Sequence, residues 1–390
     1  MNVRMKRLQA YLQEKEICAA LFATSASLQY LLDDTGYAWQ RTMFTGEYPD
    51  SARGSRGHFL NMPDCLLLLP AQGEPTLVMT ERRAADMRRL PYHQEITYFT
   101  QFPLVLGEYL PDGGTVAVGE CCYESICEAL EMSGKKVHPV PGEPPVLAMR
   151  AVKDAGEIEK MRRAAAFTDA CMEYLVPYLK PGISRMEVEN LICAYGRAHG
   201  IQDLSFDPAA IFVKTDDPKS LSLENCADPH EKLTQGMSIG FDYGFVVDGY
   251  CSDYGRSFYC GAAPRELTEG YRVLNEAQLW LLSQLRPGVP MSVCFSTLEK
   301  KMDELGGYGR YLRKYGDFGL IGHQIGIDTH ELPWLHDNLT RTFEPGMVMC
   351  IEPKLWWPGK CYLRCEDMVL ITPTGAESLT KFDRSVFELK

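Results

Sequence analysis

Two aspartates flank a predicted hairpin turn in the segment FDYGFVVDGYCSDYGRSF, residues 241–258. Asp242 and Asp253 lie eleven residues apart, and the dipeptide Asp248-Gly249 between them is a strong hairpin signal. If the strands pair symmetrically about the chain midpoint, just before Asp248, we expect the two aspartates to lie directly opposite each other. Like charges in that position destabilise a sheet. The arrangement therefore needs a compensating interaction.

A second acidic pair follows the same pattern. Glu352 and Glu366 lie in MCIEPKLWWPGKCYLRCEDMVLI, where the flanks read as strands and the chain midpoint, Gly359, falls in the turn WPGK. We expect these glutamates to face each other, unless a bulge shifts the register. Because strand side chains alternate between faces, Arg364 is expected to share the face of Glu366, while Cys365 points away.

Bound cations would explain both acidic pairs. Four carboxylates and a neutral imidazole match the charge of two divalent ions, and the segment IGHQIGIDTHELPWL supplies His323 and His330. Oxygen-rich ligands favour harder ions such as Mn²⁺ over a thiolate-type zinc site. Two bridged ions roughly 3.5–4 Å apart can activate a water molecule and stabilise an oxyanion. Taken singly, each acidic residue is more simply a solvated strand-edge charge and each histidine a core residue, but their combination favours a metal site.

The elements that must position these residues are indicated by the hydrophobic pattern. A chain of 390 residues exceeds what one core holds, which predicts two domains. In the first part, short apolar runs alternate with predicted helices at residues 3–15 and 122–133, which indicates a small α/β domain. A long loop is predicted from Tyr30 to Asn61, and the Pro-rich segment HPVPGEPPV, residues 138–146, is expected to link the domains.

An internal repeat follows the predicted linker. LVPYLKPGISRMEVENLI, residues 175–192, aligns without gaps with LLSQLRPGVPMSVCFSTL, residues 281–298. Each copy reads as a helix, a basic-Pro-Gly turn and a second helix, and capping-box patterns begin at Asp154 and Ser184. Duplication implies two structural halves packed around a shared centre, where a site would lie.

Composition limits the function classes. The formal net charge of −12 argues against a nucleic-acid or anionic-membrane surface, both of which need basic patches. The N-terminus has charges scattered through a helical pattern, and no apolar run reaches the length of a membrane span, so we expect a cytoplasmic protein. The fourteen cysteines are expected to be reduced, and their spacing is not that of a structural zinc site.

Together these motifs resemble the pita-bread metallopeptidases, which include prolidase, aminopeptidase P and methionine aminopeptidase. The resemblance covers nearly the whole chain. It implies an α/β (α+β) architecture, with a creatinase/prolidase-like N-terminal domain at residues 1–145 and a pita-bread catalytic domain with a pseudo-twofold repeat at residues 146–390. In that family an Asp-x10-Asp pair, a GHxxGxxxHE segment and two glutamates form the site. The metal ligands that the resemblance implies are Asp242, Asp253, His323, Glu352 and Glu366.

The resemblance also implies roles in the reaction. His330 matches a histidine that contacts the substrate and the tetrahedral intermediate. Glu352 matches the residue that takes a proton from metal-bound water. Arg364 is expected to position neighbouring carboxylates or the substrate.

One departure from the family concerns a histidine upstream of the first aspartate, which helps the peptidases to bind substrate. The expected positions hold Glu224 and Asn225, and the nearest candidate is His230, twelve residues before Asp242. A shortened loop would let His230 serve; otherwise it is a surface residue. Relatives with altered pockets act on non-peptide C–N bonds, perform lyase chemistry or only bind peptides.

The sequence therefore predicts a metallopeptidase of the Xaa-Pro dipeptidase or aminopeptidase type, acting on short peptides through a metal-bridging hydroxide. The alternatives are an enzyme of the same fold acting on a small non-peptide compound, as a C–N hydrolase or lyase, and a non-catalytic peptide-binding module. Two divalent ions are expected, Mn²⁺ before Co²⁺, Fe²⁺ or Zn²⁺, in a homodimer without nucleic-acid or membrane partners. By analogy with relatives in which a partner subunit closes the pocket, its expected lining residues here are Tyr37 and Trp39, with Arg53 or Arg56.

Overall fold

The computed structural model describes residues 1–36, 39, 63–87, 89–315, 318–385 and 387–389. Two compact units are present, Met1–Arg150 and Ala151–Lys390. Of the helices that the structure describes, none combines the length and apolarity needed to span a bilayer.

The first unit is built on a mixed sheet. Its strands are β1 (Ile17–Ala23), β2 (Cys65–Pro70), β3 (Thr76–Met79), β4 (His93–Ile96), β5 (Thr115–Val118) and β6 (His138–Pro141). Its helices are α1 (Val3–Glu14), α2 (Ala26–Leu32), α3 (Glu81–Met87), α4 (Phe102–Tyr109), α5 (Tyr123–Met132) and α6 (Glu143–Ala151). The strand order is β4-β3-β2-β1-β5-β6, in which β2 is antiparallel to both its neighbours and the other neighbouring strands are parallel. The apolar runs of the sequence thus form the central strands, and the two helices predicted here are confirmed as α1 and α5.

The Pro-rich segment predicted as a linker is part of this unit's regular structure. Its first half is β6, an edge strand, where prolines are tolerated because the outer side of the strand has no ladder to donate to. Its second half begins α6, and Pro144 and Pro145 lie in the first turn, where a helix has no use for their missing N–H groups. Residue 145, at which we predicted the domain boundary, thus lies inside a helix. The loop predicted from Tyr30 to Asn61 falls mostly outside the described residues, and its first residues end α2.

The second unit contains the repeat and all of the predicted metal ligands. Its helices are α7 (Ala155–Leu175), α8 (Arg185–Ala198), α9 (Arg265–Gln284) and α10 (Cys294–Gly306). Its strands are β7 (Asp203–Leu204), β8 (Ala209–Lys214), β9 (Met237–Asp242), β10 (Phe245–Val247), β11 (Tyr250–Cys251), β12 (Ser257–Cys260), β13 (Leu320–Gln324), β14 (Glu331–His336), β15 (Val348–Ile351), β16 (Lys354–Trp357), β17 (Cys361–Arg364), β18 (Asp367–Ile371), β19 (Ala376–Ser378) and β20 (Glu388–Leu389). The larger sheets have the orders β20-β12-β9-β8 and β14-β13-β15-β18-β19.

The two copies of the repeat adopt the same structure. In each copy the glycine of the turn has a positive φ, 101° at Gly182 and 85° at Gly288. Its N–H donates to the carbonyl of a residue shortly before β9 in the first copy, Leu233, and shortly before β15 in the second, Phe343. From these residues the chain runs directly into β9 and β15. The duplication therefore extends beyond the helices to the strands that carry the acidic pairs. The predicted capping boxes are confirmed at the starts of α7 and α8.

Candidate metal centre

The first predicted hairpin forms, but its register differs from the prediction. Asp248 (φ 51°) and Gly249 (φ 76°) make a two-residue turn with positive φ at both positions, as a type I′ turn requires. The turn is therefore centred between these two residues, one residue later than predicted. The cross-strand pairs are Val247 with Tyr250, Val246 with Cys251 and Tyr243 with Tyr254. Asp242 and Asp253 are consequently diagonal neighbours on one face of the hairpin, so the predicted direct pairing is wrong.

Glycines lie opposite both aspartates. In the observed register Asp242 faces Gly255, and Asp253 faces Gly244. A Cβ atom at Gly244 would lie 1.9 Å from a carbonyl oxygen of the opposite strand, and one at Gly255 would lie 2.6 Å from Nε of Arg364. Only glycine permits the strands to approach this closely. The empty position at Gly255 also provides the space into which the guanidinium of Arg364 extends.

The second predicted hairpin has the expected register. The pairs on either side of the two glutamates are Lys354 with Arg364, Trp357 with Cys361 and Ile351 with Asp367. Glu352 and Glu366 therefore lie opposite each other, as predicted. The backbone N–H of Glu366 donates to the carbonyl of Gly255 (2.9 Å), and this bond joins the second hairpin to the first.

His323 lies on β13, an interior strand of the five-stranded sheet, and is almost fully buried. Its Nδ1 contacts the backbone carbonyl of Gln324 (3.1 Å), a contact in which Nδ1–H must donate. Nε2 is therefore left to face the carboxylates, 3.4 Å from Oδ2 of Asp253 and 4.0 Å from Oε1 of Glu352. Burial lowers the pKa of His323, but the two carboxylates outweigh it and raise the pKa overall. A ring oriented in this way is ready to bind a cation through Nε2.

Several carboxylate oxygens in the cluster have no hydrogen-bond partner among the described residues. They are Oδ1 of Asp242, Oδ1 of Asp253 and both oxygens of Glu366. Arg364 Nη2 lies 2.6 Å from Oε2 of Glu366, but without the geometry of a hydrogen bond. Burial raises the pKa of Glu366 well above its ordinary value; Arg364 opposes the rise, and the neighbouring carboxylates add to it. Because buried polar groups are almost always hydrogen-bonded, these oxygens fit a divalent cation.

The donor atoms that lie nearest one another come from Asp253, His323 and Glu366, together with Sγ of Cys350, all within 4.8 Å. Cys350 was not predicted from the sequence. It is the cross-strand partner of His323, and the strand register was the signal that could have found it. Burial raises the pKa of the Cys350 thiol well above its ordinary value, so the thiol is neutral in the metal-free cluster.

Two protein cations also contact the carboxylates. Arg364 pairs with Asp242 and, through Nη2, with Oε2 of Glu352 (2.8 Å). Lys354, which the sequence reasoning missed, places Nζ 2.5 Å from the same Oε2. Burial alone would raise the pKa of Glu352, but Lys354 and Arg364 outweigh it and lower the pKa to about 2. The charge balance drawn from the sequence, four carboxylates against two divalent ions, therefore omitted two positive charges.

The cluster opens into a cavity of about 250 Å³. Its other lining residues are Phe206, Tyr315, Leu320, His330 and Trp334. The His330 ring stacks on Trp334 at 5.0 Å between centroids and meets His323 edge-on at 4.5 Å. Ligand pockets usually occupy about 300–1,000 Å³, so this cavity suits a small ligand or one end of a longer one.

None of the remaining predicted residues occurs among the described residues that line the cavity. His230 is exposed in a turn, where its backbone N–H donates to Oδ1 of Asp228 (2.9 Å), and it does not occur among the described residues that line the cavity. Trp39 belongs to the first unit, where its N–H donates to the side chain of Gln29 (3.2 Å). The predicted pocket residues Tyr37, Arg53 and Arg56 lie outside the described residues.

Comparison with known proteins places these motifs in context. Residues 159–373, more than half of the chain, match the family described as metallopeptidase family M24. An uncharacterized peptidase of Staphylococcus aureus strain USA300 is 31% identical over 241 residues, which are 60% of this chain and 64% of that relative, less than two thirds of its length. An uncharacterized peptidase of Staphylococcus saprophyticus is 26% identical over 82% of this chain and 88% of its own.

Solved structures of other proteins resemble this fold over nearly the whole chain. The prolidase of Thermococcus sibiricus is 25% identical and superposes with a TM-score of 0.81, with complete coverage of both chains. An Xaa-Pro dipeptidase from Bacillus anthracis has a TM-score of 0.79 at 23% identity, with 99% coverage of both chains. These likenesses confirm the predicted prolidase-type pita-bread fold.

Proposed function

The chain belongs to metallopeptidase family M24, and on that premise we propose that it is a metal-dependent hydrolase that cleaves Xaa-Pro bonds in short peptides. The observation that carries the proposal is the set of orphaned, buried carboxylate oxygens beside Nε2 of His323, at the base of a small cavity. The names of the solved relatives, prolidase and Xaa-Pro dipeptidase, support the substrate class.

The residues that would hold a cation are Asp253, His323 and Glu366, with Asp242 and Glu352 beside them. When bound, a divalent ion supplies Lewis acidity and lowers the pKa of water at the site. We propose Mn²⁺ from the predominance of oxygen donors, with Co²⁺, Fe²⁺ and Zn²⁺ as alternatives. We also propose a homodimer, by analogy with relatives of this fold.

We propose that His330 acts on the substrate. It lies on the cavity wall, and Trp334 holds its ring by stacking. Partial burial and the neighbouring His323 lower the pKa of His330, so the ring is neutral at physiological pH. A neutral imidazole can donate one hydrogen bond to the oxygen on which negative charge develops during amide hydrolysis.

Glu352 is better suited to bind a cation than to accept a proton. Its Oε2 already contacts Lys354 and Arg364, and its low pKa makes it a weak base. Its Oε1 faces His323, 4.0 Å from Nε2. We therefore propose that Glu352 lies beside the bound ion and holds Lys354 and Arg364, with any proton acceptance confined to Oε1.

A second candidate is a small non-peptide substrate, processed by C–N hydrolysis or a lyase reaction on the same fold. The observation that favours it is the exposed position of His230, since the described part of the cavity wall then lacks the upstream histidine of the peptidases. A purely peptide-binding module is disfavoured, because binding alone gives no reason to bury unpaired carboxylates.

The test is release of free proline from a panel of Xaa-Pro dipeptides, and of the N-terminal amino acid from Xaa-Pro-Yaa tripeptides, by Mn²⁺-loaded protein. Matched Xaa-Ala peptides control for proline specificity, and Glu366→Gln is the inactive control. We expect turnover of the proline peptides that the variant loses. Absence of turnover in protein shown to contain metal would favour the non-peptide substrate.

A further inference from the structure

Lys354 and Arg364 form a pair of buried cations within the carboxylate cluster. They are direct cross-strand partners, with side chains only 10% and 5% exposed. Both contact the same oxygen of Glu352, at 2.5 Å and 2.8 Å. Like charges on opposite strand positions repel, so this pair depends on the carboxylates between them.

Each cation is held in place by other contacts. Lys354 donates to the hydroxyl of Tyr315 (2.8 Å), whose ring also lies 5.4 Å from Nζ. Arg364 is fixed through its backbone, since its N–H donates to Ser257 (2.6 Å), and its guanidinium occupies the space left by Gly255. The two positive charges are therefore built into the hairpins and belong to the site as firmly as the carboxylates do.

The charge count changes accordingly. With all four carboxylates ionised, as in the metal-bound state, they carry −4, and the two protein cations supply +2, which leaves −2. A single divalent ion neutralises this remainder. A second ion would have to bind beside the ammonium group of Lys354, which already contacts Oε2 of Glu352.

The distribution of free donor atoms agrees with that count. The compact donor group consists of Asp253, His323 and Glu366 with the neutral thiol of Cys350, and it excludes Asp242 and Glu352. Asp242 pairs with Arg364, and Glu352 with both Lys354 and Arg364, whereas Glu366 lies 2.6 Å from Arg364 Nη2 without the geometry of a hydrogen bond.

We propose that the site binds one divalent ion tightly, between Asp253, His323 and Glu366, and that Lys354 takes the electrostatic place of a second ion. This deepens the proposed function and rests on the same cluster. A fixed positive charge within about 4 Å of the second position weakens binding of a divalent ion there by at least about 100-fold, at the effective dielectric constant of protein sites.

The experiment measures metal stoichiometry without any substrate. Metal-free protein is titrated with Mn²⁺ by calorimetry, the bound metal is counted by mass spectrometry after dialysis, and electron paramagnetic resonance distinguishes isolated from coupled Mn²⁺ ions. We expect one tight ion per chain and no spin-coupled signal.

Three variants isolate the charge of Lys354. Lys354→Met removes it and is expected to bind two ions with a coupled signal. Lys354→Arg keeps it and is expected to bind one. Lys360→Met is the matched control, because Lys360 lies in the same hairpin but pairs with Asp216 and Glu266 away from the cluster; it is expected to bind one ion. Circular dichroism of each variant verifies folding.

Two tight ions in the parent would overturn the proposal, whatever the variants do. One ion in a folded Lys354→Met variant would overturn the role of Lys354. No bound ion in the parent would refute both this inference and the metal requirement of the proposed function. A failed proline-release assay, by contrast, leaves the stoichiometry result unaffected, so the two ideas can fail separately.

Discussion

Glu366 and Asp367 are adjacent in the chain and both are fully buried, but they differ in whether their carboxylate oxygens have hydrogen-bond partners. Asp367 is satisfied: its Oδ1 accepts from Arg256 (2.7 Å) and Thr380 (2.7 Å), and its Oδ2 pairs with Arg384. Glu366 has no hydrogen-bond partner for either oxygen among the described residues. We therefore expect neutralising substitutions at these two positions to have opposite effects on the stability of the metal-free protein.

Glu366→Gln should stabilise the metal-free protein. A buried polar group without a partner costs about 1–3 kcal/mol, and more when it is charged. Arg364 keeps Asp242 and Glu352 as partners in the variant, so no new unpaired cation arises. For a unit of this size, each kcal/mol corresponds to an increase in Tm of about 2–4 °C.

Asp367→Asn should destabilise the protein by about 3–5 kcal/mol, because it leaves the buried guanidinium of Arg256 and the partly buried one of Arg384 without their carboxylate. Calorimetry in the presence of a chelator measures both variants against the parent. Addition of Mn²⁺ should then stabilise the parent by about 2.7 kcal/mol at a hundredfold excess over Kd, while Glu366→Gln should gain little. A metal-free Glu366→Gln variant that is less stable than the parent would refute the assignment of Glu366 as an unsatisfied ligand.

The pH dependence gives an independent check. The pKa of Glu366 is raised in the folded, metal-free protein, so the folded state binds a proton more tightly than the unfolded state. The free energy of unfolding therefore falls as pH rises above the ordinary glutamate pKa of 4.5. The advantage of Glu366→Gln should therefore be small near about pH 4.5 and grow toward neutral pH. The pKa of Asp367 is lowered by Arg256 and Arg384, against the effect of burial, so its contribution is present above the ordinary aspartate pKa of 3.8 and is lost only as pH falls through the lowered value. Urea unfolding across this range measures both; a pH-independent difference for Glu366→Gln would contradict the argument.

Three further changes test other parts of the site. His330→Gln should lower kcat about 100-fold with metal content unchanged, because His330 faces the cavity rather than the carboxylates; a loss of bound metal would contradict this. Gly244→Ala should cost about 3 kcal/mol or more in chemical denaturation, because its Cβ would lie 1.9 Å from the carbonyl oxygen of Ser252, and an unchanged unfolding midpoint would refute the register. Lys153→Met should lower the free energy of unfolding by about 3–5 kcal/mol, because Lys153 and Glu331 form a buried ion pair at 3.0 Å. Since Glu331 is next to His330 in the chain, the variant should also have a lower kcat. A variant as stable as the parent would show the pair to be dispensable.

The sequence predicted which residues form the site better than it predicted their geometry. Symmetry about the turn placed Glu352 opposite Glu366 correctly, because that turn is centred on Gly359. The same reasoning misplaced Asp242 and Asp253, because a two-residue type I′ turn is centred between Asp248 and Gly249. Turn type therefore has to be fixed before register is read from spacing.

The sequence reasoning missed several site residues, for different reasons. Lys354 and Cys350 could have been predicted from the sequence. The register that pairs Glu352 with Glu366 also pairs Lys354 with Arg364, and Cys350 is the cross-strand partner of His323. Trp334 on β14 is the cross-strand partner of His323, so the strand register could have found it too, whereas Phe206 reaches the cavity from the segment after β7, which periodicity does not encode. His230 lies in an irregular turn, where spacing along the chain does not determine distance in space.

The duplicated halves are alike in backbone but opposite in charge. In the first hairpin Asp242 lies opposite Gly255, and the pair nearer the turn is Gly244 with Asp253. In the second hairpin Glu352 lies opposite Glu366, and the pair nearer the turn is Lys354 with Arg364. At the position nearer the turn, one half thus contributes a carboxylate beside a glycine, while the other contributes two cations. A symmetric pair of ions would require the two halves to present equivalent ligands. The sequence departs from that equivalence at Lys354 and Arg364, whose charges therefore favour a single, asymmetrically bound ion.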